Sequence, residues 1–442
     1  MRKFWMVLLA LGLVVAFSMP AFAAVDGKFS GSLRMRGWYD YNISGLDKDK
    51  ADGTYGAARQ FYDNRLRMQP EFKIAEGLVL TTRFDALEKK WGDTITSNDN
   101  NISWERAYVT FDTKGGRFMV GYQEDRAFGT VFGNTAGSKP MIKYFLPLGD
   151  FTLIAAIEKG VEGQGTQAAK LQQIDADADI YDLGFVYKFK GGDAGLMIQN
   201  VVNKSNRTTA NGYTRDLLLF DPYVKMKMGP VYFEAEGLYA TGKWFKYDDP
   251  KPRDDVDFSQ YGIYMMANVD LAPAYVGGIV AWSSGDDGQD ANKKKSGIFR
   301  ELGLNSAVNL SLMLVSYEYR NQVGFRTGDS SVQTNDRIGE YSDNMQFYQI
   351  FGGFKPMKQL DIKASISYAR ATEKPKSAAG VQFLDNVIGT EFDLTATYKV
   401  YDNLSYMVGF GYLWVGDYFK GTNAAAVTQN DYLLMHQLLL SF

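Results

Sequence analysis

Apolar and polar side chains alternate with period two along nearly the whole chain, and this alternation limits its possible folds more than any other feature. In residues 29–41 the odd positions are Phe29, Gly31, Leu33, Met35, Gly37, Tyr39 and Tyr41. The even positions are Ser30, Ser32, Arg34, Arg36 and Asp40, with Trp38 the exception. A strand turns successive side chains to opposite faces, so this segment shows an apolar face to one medium and arginines to another. Leu66, Met68, Phe72 and Ile74 likewise oppose Arg65, Arg67, Glu71 and Lys73, and Leu80, Thr82 and Phe84 oppose Thr81, Arg83 and Asp85. Further copies fall at 107–112, 118–123, 181–189, 231–239, 261–269, 360–368, 392–400 and 406–414.

The connections alternate in length. Tight turns rich in Gly, Pro, Asn and Asp lie at 75–77, 114–116, 148–150, 190–193, 228–230, 271–273, 355–358 and 401–403. Between them stand long polar loops such as 44–59, 89–101, 160–176 and 242–255. Short connections at one end and long ones at the other predict an all-β fold, a transmembrane antiparallel β-barrel with periplasmic turns and extracellular loops. The eight turns each join a strand pair, and one further strand at each end gives about 18 strands, within a range of 16–20. Residues 285–343 admit two readings. A strand pair at 298–304 and 308–320 would make twenty strands; a long loop tucked into the lumen is preferred.

In the closing segment 431–442, Tyr432, Leu434, Leu438, Leu440 and Phe442 share one parity, and the strand is expected to pair back to 29–41. At the other end Arg2 and Lys3 precede an apolar run over 4–17 and Ala21-Phe22-Ala23, the pattern of a signal peptide at 1–23. That leaves 24–442 as a single barrel domain. Beyond it no apolar window reaches about 18 residues, as a membrane helix would need. The chain has no Cys, which excludes disulfides and thiolate metal sites. Its net charge of −3 gives no reason to expect a nucleic-acid partner. Trp38, Tyr39, Tyr41, Tyr122, Tyr187, Trp282, Tyr398, Tyr412 and Trp414 fall near strand ends, where aromatic girdles meet the lipid interface.

A barrel of this size is too wide for side chains to fill, so function depends on what lines it. The inward parity of the first five strands carries Arg34, Arg36, Arg65, Arg67, Arg83, Arg106 and Arg117. Later strands present Glu234, Glu236, Asp361, Glu391 and Asp393. A basic wall facing an acidic one would set a transverse field and draw anions to the arginines, whose planar fork suits carboxylate or phosphate. The simpler reading is that these residues keep the lumen wet and pair across strands. The segment after the fifth strand offers Glu124, Asp125 and Arg126 among glycines and aromatics; it is either an ordinary external loop or an infolded constriction facing the arginines. Asp286, Asp287 and Asp290 are candidate calcium ligands, though their spacing fits no helix-loop-helix site and solvated loops are the default. No other cofactor is expected. Lys293, Lys294 and Lys295 are candidates for lipopolysaccharide phosphates.

Several short motifs resemble Gram-negative outer-membrane porins: Trp104-Glu-Arg-Ala-Tyr-Val-Thr-Phe111, Met119-Val-Gly-Tyr-Gln123, Trp282-Ser-Ser-Gly-Asp-Asp287, Gly352-Gly-Phe-Lys-Pro-Met357 and the terminal Phe442. The nearest likeness is to large monomer-type porins related to alginate-export barrels. The resemblance implies location in the outer membrane, contact with its lipid and lipopolysaccharide, and a passive channel for small hydrophilic solutes with an eyelet loop. It also implies that Phe442 is read by the barrel-assembly machinery. Export of an acidic polysaccharide and a sealed structural barrel or adhesin are the alternatives. An enzyme is not expected, because the single His436 lies on the lipid-facing parity. Gly31 and Gly37 on that same face leave a homotrimer open.

Overall fold

The computed structural model describes residues 26–42, 45–47, 58–93, 101–135, 137–167, 172–208, 211–248, 253–302, 304, 308–322, 343–377 and 379–442. The signal peptide expected at 1–23 lies outside the described residues, as does part of the loop at 44–59. Eighteen antiparallel strands close into one barrel. In chain order they are β1 (Asp26–Asp40), β2 (Arg59–Ala75), β3 (Leu78–Lys90), β4 (Ile102–Thr113), β5 (Gly116–Glu124), β6 (Ser138–Leu148) and β7 (Phe151–Val161). A separate hairpin of β8 (Gln164–Gln167) and β9 (Gln172–Asp175) follows. The barrel then resumes with β10 (Ala178–Phe189), β11 (Gly192–Asn203), β12 (Tyr213–Met228), β13 (Val231–Tyr247), β14 (Val256–Leu271) and β15 (Ala274–Ser283). After the two-residue β16 (Lys293–Lys294) it ends with β17 (Met345–Met357), β18 (Leu360–Ala371), β19 (Val387–Tyr401), β20 (Leu404–Val415) and β21 (Asp431–Ser441).

Every barrel strand pairs with its sequence neighbours, which is why short turns suffice at one end. Gly77 and Gly149 adopt φ of 72° and 67° in two of those turns, the left-handed region where a Cβ is costly. Closure is made by β21 on β1, from Ser32 opposite Ser441 to Asp40 opposite Leu433. Phe442 extends the ladder: Gly31 N donates to its carbonyl at 2.8 Å, and Phe442 N donates back to Gly31 O at 3.1 Å. A closed ladder leaves no unpaired edge, the condition for backbone to cross a bilayer as a sheet.

The two faces differ as the alternation requires. Ile142, Ile157, Phe185, Ile263, Ile350, Ile366 and Val408 are exposed on the outside, an apolar belt that only lipid can cover at this extent. Of the expected girdle, Tyr122, Tyr187, Tyr398 and Trp414 are exposed. Trp38 is not a girdle residue. It is buried in the lumen, where its indole N–H donates to Asp63 at 2.6 Å and the Arg36 guanidinium lies over its ring. Its even parity, the exception in the β1 alternation, already put it there.

Gly31 and Gly37 do not present flat ground to a neighbouring barrel. The ring of Phe442 occupies the space over Gly31, and the rings of His436 and Tyr62 occupy that over Gly37. These glycines face bulky rings on the adjacent strand, as glycine–aromatic pairs in sheets do.

Between β15 and β17 the chain forms no strand pair among the described residues of 298–320. It makes short helices at Ile298–Glu301 and Tyr317–Gln322, and much of it is buried inside the barrel. Apolar positions here find an interior to pack in, so an alternating pattern did not need a sheet.

Candidate functional site

Two loops from the long-loop end fold into the lumen. The first, residues 125–137 after β5, crosses to the wall formed by β11–β14. Arg126 pairs with Asp221 of β12 and reaches Gln199 at 3.5 Å. Burial works against its charge, but Asp221, Asp182 and Glu236 outweigh it and raise its guanidinium above the ordinary value. Glu236 of β13 accepts Thr130 N at 2.9 Å, Gly133 N at 3.0 Å and the Thr130 hydroxyl. The Glu236 carboxylate lies against both Gly129 and Gly133, in space a Cβ would take, and Gly129 has φ of 72°. The glycines let the loop backbone close around the carboxylate. Phe132, fully buried, stacks on Tyr264 at 5.9 Å, and Phe128 meets Tyr223 edge-on at 4.9 Å.

The second loop lies between β15 and β17. Gln260 accepts Ile298 N at 3.0 Å, and Gly297 N donates to Asp343 at 3.0 Å. Farther along, Glu391 of β19 accepts Met313 N and Leu314 N, both at 2.7 Å, and Asp393 accepts Leu312 N at 3.3 Å. The tip then reaches the seam of the barrel. The Tyr319 hydroxyl bonds Asp40 of β1 at 2.6 Å and Asp431 of β21 at 3.1 Å. Burial, with these two carboxylates beside it, raises the phenol well above its ordinary value. Glu318 bridges Arg34 at 2.7 Å and Arg36 at 2.6 Å. Burial alone would raise the Glu318 carboxyl; the Arg36 and Arg34 guanidiniums outweigh it and hold it below the ordinary range. A β-bridge between Thr135 and Leu304 joins the two loops, and Phe132 shares one apolar cluster with Phe299, Leu304, Met313 and Leu314.

The arginines remain on the opposite arc. Arg34 stands directly across from Arg65, and Arg83 directly across from Arg106. Each has a carboxylate near it: Arg36–Asp63 at 3.0 Å, Arg65–Glu88 at 3.7 Å, Arg67–Asp85 at 2.6 Å, Arg83–Glu105 at 3.8 Å and Arg106–Glu124 at 3.0 Å. The wall is therefore laced with acids rather than bare. Arg65 and Arg83 are the loosely held members, and the Nε groups of Arg65, Arg83 and Arg106 are buried without a hydrogen-bond partner.

Several expected positions fall elsewhere. Arg117 stands apart from the other arginines at the turn end of β5, where it forms an exposed pair with Asp112 at 2.6 Å. Glu124 does meet the arginines, but Asp125 turns to Lys139 at 3.0 Å and Arg126 to the far acids. On the acidic side, Glu236, Glu391 and Asp393 are consumed as loop anchors, because the loop backbones bring N–H groups to them. Glu234 accepts from Tyr232 at 2.7 Å and Tyr264 at 2.9 Å, and Asp361 from Tyr275 at 3.1 Å. A standing field between two free walls does not follow from this arrangement.

Asp286 accepts Gly288 N and Lys295 N and lies 3.1 Å from Lys294; Asp290 accepts Asn292 N and lies 3.7 Å from Lys293. Asp287 accepts Gln289 N. The three carboxylates thus serve their own loop and its lysines. No group of three metal-ligating side chains is found among the described residues. His436 sits on the outer face between Tyr62 and Tyr406, with ring centroids 5.6 Å and 5.8 Å away.

The described residues thus form a closed barrel with an apolar exterior and loops folded across a charged lumen. No family model matches the chain and no curated protein is similar to it by sequence. Solved structures are similar in fold. OccK2 (OpdF) of Pseudomonas aeruginosa matches at 11% identity over 94% of this chain and 98% of its own, with a TM-score of 0.50. OccAB3 of Acinetobacter baumannii matches at 10% identity over 94% and 100%, also at 0.50. A BenF-like porin from Pseudomonas fluorescens Pf-5 matches at 11% identity over 94% and 99%, at 0.50.

Proposed function

We propose that this chain is a passive porin of a Gram-negative outer membrane that passes small hydrophilic solutes and favours anions or acidic molecules. The observation that carries the preference is the pairing of like charges, Arg34 with Arg65 and Arg83 with Arg106, directly across neighbouring strands. Like charges in that position destabilise a sheet. Arg65 and Arg83, held by carboxylates only at 3.7 Å and 3.8 Å, keep guanidinium donors that a passing carboxylate or phosphate can take. The pore-lining role falls to Arg34, Arg36, Arg65, Arg67, Arg83 and Arg106, with Glu124 setting how exposed Arg106 is. Phe442, hydrogen-bonded at the seam, is the residue we assign to recognition by the barrel-assembly machinery.

The test is the reversal potential of refolded protein in a planar bilayer under a KCl gradient. Anion preference is expected, and the R65A/R67A/R106A variant should move the potential toward neutrality. Cation preference in the native chain, or an unchanged potential in the variant, would overturn the assignment. Absence of conductance would favour a sealed structural barrel. Export of an acidic polysaccharide, in line with the resemblance to alginate-export barrels, would also use an arginine wall. Two loops anchored across the lumen weigh toward small solutes.

A further inference from the structure

We propose that Arg34 and Arg36 form a carboxylate-binding site which the chain's own Glu318 fills, and that a small carboxylate solute loosens the second loop by taking its place. This rests on the small-acid reading above and adds a ligand-dependent latch to it.

The geometry is that of a built anion site. Each Glu318 oxygen takes one guanidinium, Oε1 from Arg34 at 2.7 Å and Oε2 from Arg36 at 2.6 Å. Arg36 is prepositioned independently of the loop. Its Nε donates to Asp63 at 3.0 Å, the other Asp63 oxygen is held by the Trp38 indole at 2.6 Å, and the guanidinium rests over the Trp38 ring. Both arginines lie on β1, two residues apart and on one face, so the pair survives loss of the loop.

Glu318 does not exhaust the site. Arg34 Nε and Arg36 Nη2 are buried without a partner, on side chains only 5% and 1% exposed as residues. A solute carrying a carboxylate and a second oxygen acceptor can engage more of these donors than the Glu318 carboxylate does. A dicarboxylate is the simplest such molecule.

Displacing Glu318 acts on the loop because Tyr319 is its neighbour. The two residues hold the loop tip to the seam, one through arginines and one through Asp40 and Asp431. With Glu318 released, Tyr319 alone holds the tip, and the stretch carrying Met313 lifts more often from Glu391 and Asp393 because its bonds there no longer have the arginine anchor behind them. The solute thus exchanges one carboxylate for another on the same arginines. The cost of opening falls because the arginines are never left unpaired.

The chain has no cysteine, so a Met313→Cys variant gives a single thiol at a fully buried position of the loop itself. Its rate of modification by a charged, water-soluble thiol reagent reports loop opening in full-length refolded protein in liposomes. Succinate is the probe, against chloride at equal ionic strength. Succinate should accelerate modification about tenfold or more, the scale of one charge-assisted hydrogen bond. In M313C/E318A modification should be fast from the start and insensitive to succinate. M313C/E318Q, which keeps the side chain's shape, gives the same reading should E318A not refold. No acceleration by succinate overturns the proposal, as does equal modification of M313C and the Glu318 variants. The reversal potential is read separately, so a cation-preferring channel whose thiol still responds to succinate would sink the selectivity reading and leave the latch standing.

Discussion

Replacing Glu236 by alanine should open the first infolded loop, and its size can be worked from the structure. The carboxylate is buried and accepts two backbone N–H groups and one hydroxyl from residues 130–133. Bonds to a charged group contribute about 1.5–3 kcal/mol each, but they are not additive. The Glu236 carboxylate also converges with that of Asp221 on Gly133, and removing one of two like charges offsets part of the loss. Breaking a buried charged contact typically costs about 3–5 kcal/mol, and the lower end applies here. At about 1.4 kcal/mol per decade, that raises the detached population of segment 129–133 by roughly a hundredfold or more. Arg126 on Asp221 holds the entry to the loop, and Phe132 must leave Tyr264 whenever the segment detaches in either chain, so that contact does not alter the ratio. Single-channel recording should show higher conductance with frequent transitions between levels. Glu236→Gln keeps one acceptor oxygen and should fall between the two. Heat-dependent mobility on gels verifies that the barrel itself has refolded. If E236A conducts with native amplitude and noise, Glu236 does not hold a constriction.

Two other outcomes follow from the same contacts. The Glu318 carboxyl is held below its ordinary value of 4.5 by Arg36 and Arg34 against its own burial. A lowered folded value means this contribution is fully present above that ordinary value and is lost as pH falls through the lower one. The difference in modification rate between M313C and M313C/E318Q, each corrected for the thiolate fraction at that pH, should therefore persist from neutral pH down to about 4.5 and vanish only in stronger acid; a difference lost between pH 7 and 5 would contradict the pairing. Gly37→Ala should destabilise the seam by about 1–3 kcal/mol, because the new Cβ meets the His436 and Tyr62 rings. A urea-unfolding midpoint equal to the native one would show that those rings move aside freely.

Much of the scaffold was legible in the chain. A period of two, eight tight turns and long loops between them set the strand count, the face of each residue and the closing partner of the last strand. These are local properties: a strand's alternation and a turn's chemistry depend on residues a few positions apart. Trp38 shows the limit: its place near a strand end suggested the girdle, and the structure shows that its even parity puts it in the lumen instead.

The constriction was legible only in part. Residues 123–134 stood out for Glu124, Asp125 and Arg126 among glycines and aromatics, and 285–343 as a stretch open to either a strand pair or a lumenal loop, yet which wall each would meet was not encoded locally. Arg34 finds Glu318 across 284 positions, and Tyr319 finds Asp40 across 279. Such pairs exist because closing the sheet brings its first and last strands together and gives buried loop segments an interior to fill. Alternation in the sequence determined a membrane barrel with arginines on the inner face of β1–β4. Tertiary structure decided that acids from strands and loops would answer those arginines, since only a closed tube sets residues so far apart within a few ångströms.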